Sequence, residues 1–136
     1  MVLVLFDTNI LIDHTLGIKA ATLELAGYDD AVISTISWME ATCKLSSSQI
    51  TVFDNDLANA GIAIVQTNEA IMRRAGELRR LTSKKLPDCI ILATAEVQGR
   101  LVITRDPVDF GGKSSTRVHV PYKLTNGIVS DVLPLP

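Results

Sequence analysis

Short apolar runs separated by helix-like segments are the feature that most restricts the fold of this chain. The first run, 2–6, is continuous and rich in β-branched and large residues, as in a strand buried on both faces. Similar runs follow at 31–33, 62–65, 101–103 and 118–120. Strands that alternate with helices form parallel βαβ units. The sequence therefore predicts an α/β fold, a three-layer α/β/α sandwich with a mostly parallel central sheet.

The segments between these runs carry helix signals. Predicted helices cover 10–25 with a break near Gly17, and also 37–45, 50–60 and 69–81. Asn68 is placed to cap the helix that ends near Leu81, and Asp88 is placed to cap the next helix, which Gly99 ends. Residues 121–136 contain three of the five prolines and show no clear period, which predicts a tail laid on the surface or loosely ordered.

Length and composition fit one domain over residues 1–136. A chain of this length with 47% hydrophobic residues and mean hydropathy +0.28 can bury a core. No apolar run approaches the roughly 20 residues that cross a bilayer, and no signal-peptide pattern opens the chain, so a cytoplasmic protein without membrane contact is predicted. Cys43 and Cys89 lie outside any ligand pattern, which favours small core residues.

Five acids lie beyond or between the predicted strands: Asp7, Glu40, Asp88, Asp106 and Asp109. Each has an ordinary local explanation. Asp7 and Asp88 could cap helices, Glu40 could be a solvated helix residue, and the last two could belong to a turn. Separate caps, however, have no reason to gather at one edge of a sheet. In parallel sheets, sites form outside the carboxyl ends of the strands, so we expect these acids to converge there.

A cluster of carboxylates restricts the chemistry. The charges repel one another unless some are protonated or a cation neutralises them. Ligands made of oxygen alone select Mg²⁺ or Mn²⁺ over Zn²⁺, and such ions suit the hydrolysis of phosphodiesters. The sequence has no GxSxG, GxxxxGK[ST] or GxGxxG motif and no Cys/His pairing, which leaves serine-hydrolase, ATP and NAD chemistry without support.

A basic strip interrupts an otherwise acidic chain. Residues 73–85 hold six basic residues and one acid, whereas the whole chain has 13 basic and 15 acidic residues. Such a strip can hold phosphates locally, or it can be a solvated helix face. The candidates for phosphate contacts are Arg79, Arg80, Lys84 and Lys85.

Four segments resemble the PIN-domain nucleases and, within them, the VapC-type toxins of bacterial toxin–antitoxin modules. They are FDTNILID at 6–13, STISWMEA at 34–41, LPDCIILATA at 86–95 and TRDPVDF at 104–110. Their order and separations match that family over about residues 1–120. The resemblance implies a parallel sheet flanked by helices and an acidic site that binds Mg²⁺ or Mn²⁺ and cleaves RNA.

The resemblance also implies roles for individual residues and for partners. The catalytic, metal-site acids would be Asp7, Glu40, Asp88 and Asp106, with Asp109 as an auxiliary acid farther from the metal. Thr8, Asn9 and Thr104 would orient the acids or bind water. Members of the family commonly form homodimers, and a small antitoxin protein holds each toxin inactive.

We therefore expect a Mg²⁺- or Mn²⁺-dependent endoribonuclease, the toxin of a type II toxin–antitoxin module. Two alternatives stay open. One is a non-catalytic module that binds RNA or a protein on the same fold, and the other is a DNA or general nuclease that uses the same acids. Four intact acids count against the first alternative, because a module that only binds has no use for their repulsion.

Overall fold

Five parallel strands form the central sheet of the computed structural model, which describes residues 1–110 and 117–136. The strands are β1 (Leu3–Phe6), β2 (Asp30–Ser34), β3 (Ile62–Val65), β4 (Leu101–Ile103) and β5 (Val118–His119). They lie in the order β3-β2-β1-β4-β5, and every neighbouring pair is parallel. All five predicted runs are strands, and the predicted α/β fold is confirmed.

Six α-helices lie in the described ranges: α1 (Thr8–Thr15), α2 (Lys19–Leu25), α3 (Thr35–Thr42), α4 (Ser47–Asn59), α5 (Glu69–Thr82) and α6 (Leu86–Gln98). Gly17 has φ +80° and separates α1 from α2, as predicted. Asn68 caps α5 by accepting the Ile71 amide at 2.9 Å, and Gly99 ends α6 with φ +64°. Asp88 does not cap α6, because the helix begins at Leu86 and places Asp88 in its first turn.

The two faces of the sheet are covered by different helices. Val4 and Phe6 of β1 point to one face, where they share a cluster with residues of α1, α2, α3 and α4. Leu5 points to the other face and packs with α5 and α6. Because successive residues of a strand alternate between the faces, a strand without polar residues is expected only where both faces are covered. This explains the continuous apolar run with which the chain begins.

The segment after β5 is more ordered than its sequence indicated. It forms an antiparallel hairpin of β6 (Lys123–Thr125) and β7 (Ile128–Ser130), with Asn126 and Gly127 at positive φ in the turn. Tyr122, just before β6, is 1% exposed and belongs to the core. Of the two predicted alternatives, a loosely ordered tail is wrong for this part of the chain, whereas the exposed residues of both hairpin strands agree with a tail laid on the surface.

The cysteines differ in environment. Cys89 is buried on α6, as predicted, whereas Cys43 is exposed at the end of α3, so the prediction of a core residue is wrong there. Cys43 is the C-terminal cap residue of α3, where the chain leaves the core, and hydrophobicity alone does not show that position. Among the described residues, no helix is long and apolar enough to cross a membrane.

The strand order fixes where a site can form. From β1 the chain proceeds outward to β2 and β3, then crosses to β4 on the other side of β1. At such a switch point the connections diverge, which leaves a crevice outside the carboxyl ends of β1 and β4. Asp7 follows β1 and Thr104 follows β4, so both stand at this crevice.

Candidate active site

Asp7 links the ends of β1 and β4. It is 5% exposed and occupies the N-cap position of α1, where its Oδ1 atom accepts the Thr8 amide at 2.7 Å. Its Oδ2 atom accepts a hydrogen bond from the Thr104 hydroxyl at 2.7 Å. The local explanation of a helix cap is therefore correct. Capping is not the whole role of Asp7, because its second carboxylate oxygen accepts a hydrogen bond from Thr104, 97 positions away.

Glu40 is brought to the same place by α3. The Thr8 hydroxyl lies 2.8 Å from Glu40 Oε1 and 3.0 Å from the Ser37 hydroxyl, one turn earlier on α3. Ser37 is fully buried, and its position in STISWMEA gave no reason to single it out. Thr8 thus connects the start of α1 to Glu40, and its role as a supporting residue of the site stays a prediction.

The loop after β4 is pinned to α1. The Thr104 hydroxyl, besides donating to Asp7, accepts the Asn9 side-chain amide at 3.1 Å and the Asp106 backbone amide at 3.0 Å. The Arg105 backbone amide donates to Asn9 Oδ1 at 3.3 Å. Asn9 and Thr104 therefore fix the start of the segment that carries Asp106.

The charges of several of these acids act on one another. Burial, together with the charges of Asp88 and Asp109, raises the pKa of Asp7 to about 6, although hydrogen bonds from Thr104 and Thr8 oppose the rise. Burial also raises the pKa of Asp88 to about 6, with further contributions from Asp109, Glu40 and Asp106. Asp109 has a raised pKa because of burial and of Asp106. The five predicted acids thus form one electrostatic cluster.

The donor set of this cluster fits a hard divalent cation. All the donors are carboxylate oxygens, and their repulsion would be relieved by positive charge. Within residues 1–110 and 117–136, however, no three His, Cys, Asp or Glu side chains are arranged as a ready metal site. The structure brings the acids within electrostatic range, and a bound ion would require their side chains to close further.

The predicted phosphate contacts divide into two kinds. Arg79 donates to the carbonyl oxygens of Ser83 and Lys84, and the Lys84 ammonium donates to the Val108 carbonyl at 2.8 Å. These two side chains fasten the α5–α6 connection and the 3₁₀ turn Pro107–Phe110. Arg80 and Lys85 are exposed and make no side-chain hydrogen bond or ion pair within the described residues. The charge of Lys85 lowers the pKa of Asp88, which lies three residues further along the chain.

Three further residues are linked to the loop that carries Asp106: Asp13, Arg105 and Tyr122. Asp13 is 2% exposed and lies on α1. It accepts hydrogen bonds from Arg105 and from the Tyr122 hydroxyl. The available signal was an acid within an apolar helical stretch. The partner of Asp13 could not be found from spacing, because Arg105 is 92 residues away.

Comparison with known proteins gave consistent matches. The PIN domain family model matches residues 4–110. A toxin–antitoxin complex from Klebsiella pneumoniae contains a chain with 35% sequence identity, a TM-score of 0.74, and coverage of 89% of this chain and 99% of that chain. The comparison with curated proteins gave no match.

Two more distant structures share the fold. FitAcB from Neisseria gonorrhoeae has 22% identity, a TM-score of 0.63, and coverage of 88% of this chain and 98% of that chain. VapBC2 from Rickettsia felis, bound to a DNA fragment from its promoter, has 16% identity, a TM-score of 0.66, and coverage of 86% and 97%. At these identities the likeness concerns the architecture of the chain.

Proposed function

The chain belongs to the PIN domain family, and from this premise we propose that it is a metal-dependent endoribonuclease that acts as the toxin of a type II toxin–antitoxin pair. PIN domain toxins are nucleases, and PIN nucleases generally use divalent metals. For this chain we propose that the metal is Mg²⁺ or Mn²⁺ and that the substrate is RNA.

The observation that carries the proposal is the group of acids at the switch point of the sheet, where Thr104 holds Asp7, Thr8 contacts Glu40, and the charge of Asp88 acts on Asp7. Two of them, Asp7 and Asp88, have pKa values near 6 and would gain from a cation when ionised. A protein that only binds RNA has no evident use for this arrangement, since a cluster of anions repels phosphates. A nuclease requires it, because a cation must reach the phosphate.

The residues that would hold the ion are Asp7, Glu40, Asp88 and Asp106, with Asp109 as the auxiliary acid. When bound, a Mg²⁺ or Mn²⁺ ion would polarise a phosphoryl oxygen and acidify an attacking water. The chain itself supplies the orientation. Thr104 and the Thr8 amide fix the two oxygens of Asp7, Thr8 fixes Glu40, and Asn9 fixes the loop that leads to Asp106.

RNA would reach the acids across the end of the basic strip. Lys85 stands three residues before Asp88, and Arg80 lies on the exposed side of α5. The side chains of Arg79 and Lys84 are instead engaged by backbone carbonyls, and these hydrogen bonds hold the loops around the site. Lys85 is therefore the preferred contact for a phosphate next to the cleaved bond.

The partners in the proposal are a small antitoxin and a second copy of the chain. Support for an antitoxin comes from the chain in the Klebsiella pneumoniae toxin–antitoxin complex, with which this chain shares 35% identity. The homodimer rests on the family resemblance alone, and the cytoplasmic location stays the expectation drawn from the sequence. Size-exclusion chromatography with light scattering would test the dimer directly.

The proposed function is tested by cleavage and by metal binding. We expect the purified protein to cut RNA with Mg²⁺ or Mn²⁺, to stop when EDTA is added, and to bind Mn²⁺ in titration calorimetry. Absence of binding at about millimolar Mn²⁺ would favour the non-catalytic alternative. Equal cleavage of transfer RNA, ribosomal RNA and single-stranded DNA would indicate a general nuclease.

Lys85→Gln is expected to weaken RNA binding without weakening Mn²⁺ binding. Loss of one phosphate contact should raise the KM for RNA by about three- to tenfold and reduce the salt dependence of binding by about 0.7 in logarithmic slope. The matched control is Arg73→Gln, which removes one charge from the start of α5, where Arg73 pairs with Glu69. An unchanged KM and salt slope for Lys85→Gln would remove Lys85 from the substrate path.

A further inference from the structure

A buried charged residue that the proposed chemistry does not use lies on α1. Asp13 has a side chain that is 3% exposed, and burial of an unpaired carboxylate is costly. At 1.5 Å per residue of helix, it stands about 9 Å along α1 from Asp7, well away from the acid cluster. The environment of Asp13 must therefore supply partners for its charge.

Arg105 is the first partner. Its Nε atom donates to Asp13 Oδ2 at 2.6 Å, and a terminal nitrogen donates to Oδ1 at 3.1 Å. Such a two-pronged contact fixes both the distance and the direction of the guanidinium, which a single hydrogen bond does not. Asp13 therefore fixes the position of the Arg105 guanidinium beside α1.

The backbone of Arg105 makes the pair relevant to the site. Arg105 stands between Thr104, which holds Asp7, and Asp106, one of the proposed ligands. Its amide donates to Asn9, so the residue is fastened to α1 through its backbone near Asp7 and through its side chain at Asp13. Because Arg105 is attached to α1 at two points, the loop after β4 has little freedom to rotate about either contact.

Tyr122 is the second partner of Asp13. Its hydroxyl donates to Asp13 Oδ2 at 2.8 Å, and its ring packs in the core with residues of β1 and α1. Burial and the hydrogen bond to Asp13 raise the pKa of Tyr122 above its usual value, so the hydroxyl stays a donor at neutral pH. Tyr122 lies beyond the region that the family model matches, residues 4–110.

We propose that Asp13 is a positioning residue, which holds Arg105 and thereby sets where Thr104 and Asp106 stand relative to Asp7. The inference rests on the proposed function for its effect on metal binding and catalysis, whereas its effect on the loop does not depend on that function. Tyr122 extends the same contact to the hairpin β6–β7, so the C-terminal segment takes part in holding the site.

The test compares Asp13→Asn with Asp30→Asn. Asparagine at position 13 still accepts from Tyr122 but cannot accept both prongs of Arg105. The control variant weakens another arginine–carboxylate pair, in which the Arg100 Nη1 atom joins Asp30 Oδ1 at 2.8 Å at the amino end of the sheet. Both substitutions remove one negative charge from an arginine pair that bridges distant segments.

Two measurements are made on both variants. Hydrogen exchange at the Arg105 and Asp106 amides should accelerate by about tenfold or more in Asp13→Asn and stay within about twofold in Asp30→Asn. The Kd for Mn²⁺ should rise by about tenfold in Asp13→Asn, with a similar fall in kcat and an unchanged KM for RNA. A role in general stability would not produce this selectivity.

The outcomes separate this inference from the proposed function. Wild-type exchange at both amides in Asp13→Asn, or equal acceleration in Asp30→Asn, would overturn the positioning role. If the wild-type protein neither bound Mn²⁺ nor cut RNA, the proposed function would fail, and selective exchange would still support the role of Asp13. Should Asp13→Asn not fold, Arg105→Lys takes its place with the same criteria, because it keeps the charge opposite Asp13 and removes the two-pronged contact.

Discussion

Asp7→Asn is expected to lower the rate of RNA cleavage by at least about 100-fold. Residues that only support metal ligands typically contribute 10- to 100-fold, and Asp7 would be a ligand itself. The measurement is single-turnover cleavage in excess Mg²⁺. The control is Asp29→Asn, which removes the same charge from an exposed position just before β2, at the opposite edge of the sheet. Cleavage by Asp7→Asn at the wild-type rate would remove Asp7 from the site.

The same variant should be more stable than the wild type when no metal is present. The pKa of Asp7 is about 6 in the folded protein and 3.8 in the reference state, so the folded state binds the proton more tightly. Ionised Asp7 therefore destabilises the folded state by about 2–3 kcal/mol above pH 6, and this loss disappears as the pH falls towards 4. Asparagine removes the charge but gives up about 1 kcal/mol of hydrogen bonding, because it cannot accept from both Thr8 and Thr104.

Urea unfolding in EDTA at pH 7 and at pH 4 measures this effect. We expect Asp7→Asn to gain about 1–2 kcal/mol over the wild type at pH 7 and to lose that advantage at pH 4. Adding Mn²⁺ at pH 7 should stabilise the wild type and not the variant, since binding to the folded state alone raises stability. A variant less stable than the wild type at pH 7 in EDTA would show that the buried, ionised carboxylate of Asp7 does not destabilise the folded protein.

Tyr122→Ala is expected to lower the free energy of unfolding by about 3–5 kcal/mol, the usual cost of removing a buried aromatic ring. The ring is 1% exposed, and its loss leaves a cavity beside β1 and α1 as well as removing a hydrogen bond from Asp13. The hydrophobic pattern of residues 121–136 gives no indication of this large effect, because it shows no clear period. Urea unfolding at constant pH provides the measurement.

Val132→Ala, in the same segment, is the control for Tyr122→Ala. Val132 is 65% exposed, and substitutions at such positions usually change stability by less than about 0.5 kcal/mol. Similar small effects for both variants would mean that the segment from Tyr122 onward does not pack against the core.

Much of the fold could be predicted because its signals are local. Continuous apolar runs mark strands whose two faces are covered, and Gly17, Asn68 and Gly99 end or cap helices through their own backbone preferences. The start of α6 was misplaced because Pro87 and Asp88 are both favourable in the first turn, so residue type alone does not select the cap. The hairpin carried one recognisable signal, the Asn126–Gly127 turn, but its strands are too short to show an alternation.

The acids could be named from the sequence, whereas their surroundings could not. Asp7, Asp88 and Asp106 stand at strand ends or helix starts that local patterns reveal, and parallel topology implies a common edge. The basic strip was less informative, since charge alone does not show that Arg79 and Lys84 donate to backbone carbonyls while the charge of Lys85 acts on Asp88. Only the folded chain shows which ammonium or guanidinium group has an internal partner.

The sequence by itself determined the α/β class and supplied the five acids as candidates, because periodicity, capping and strand ends are properties of neighbouring residues. Tertiary structure alone decided what holds those acids. The hydroxyl of Thr104 reaches Asp7 across 97 positions, and the guanidinium of Arg105 reaches Asp13 across 92. Such contacts follow from the packing of β4 against β1, which no local pattern encodes. The orientation of the site is therefore a property of the sheet as a whole.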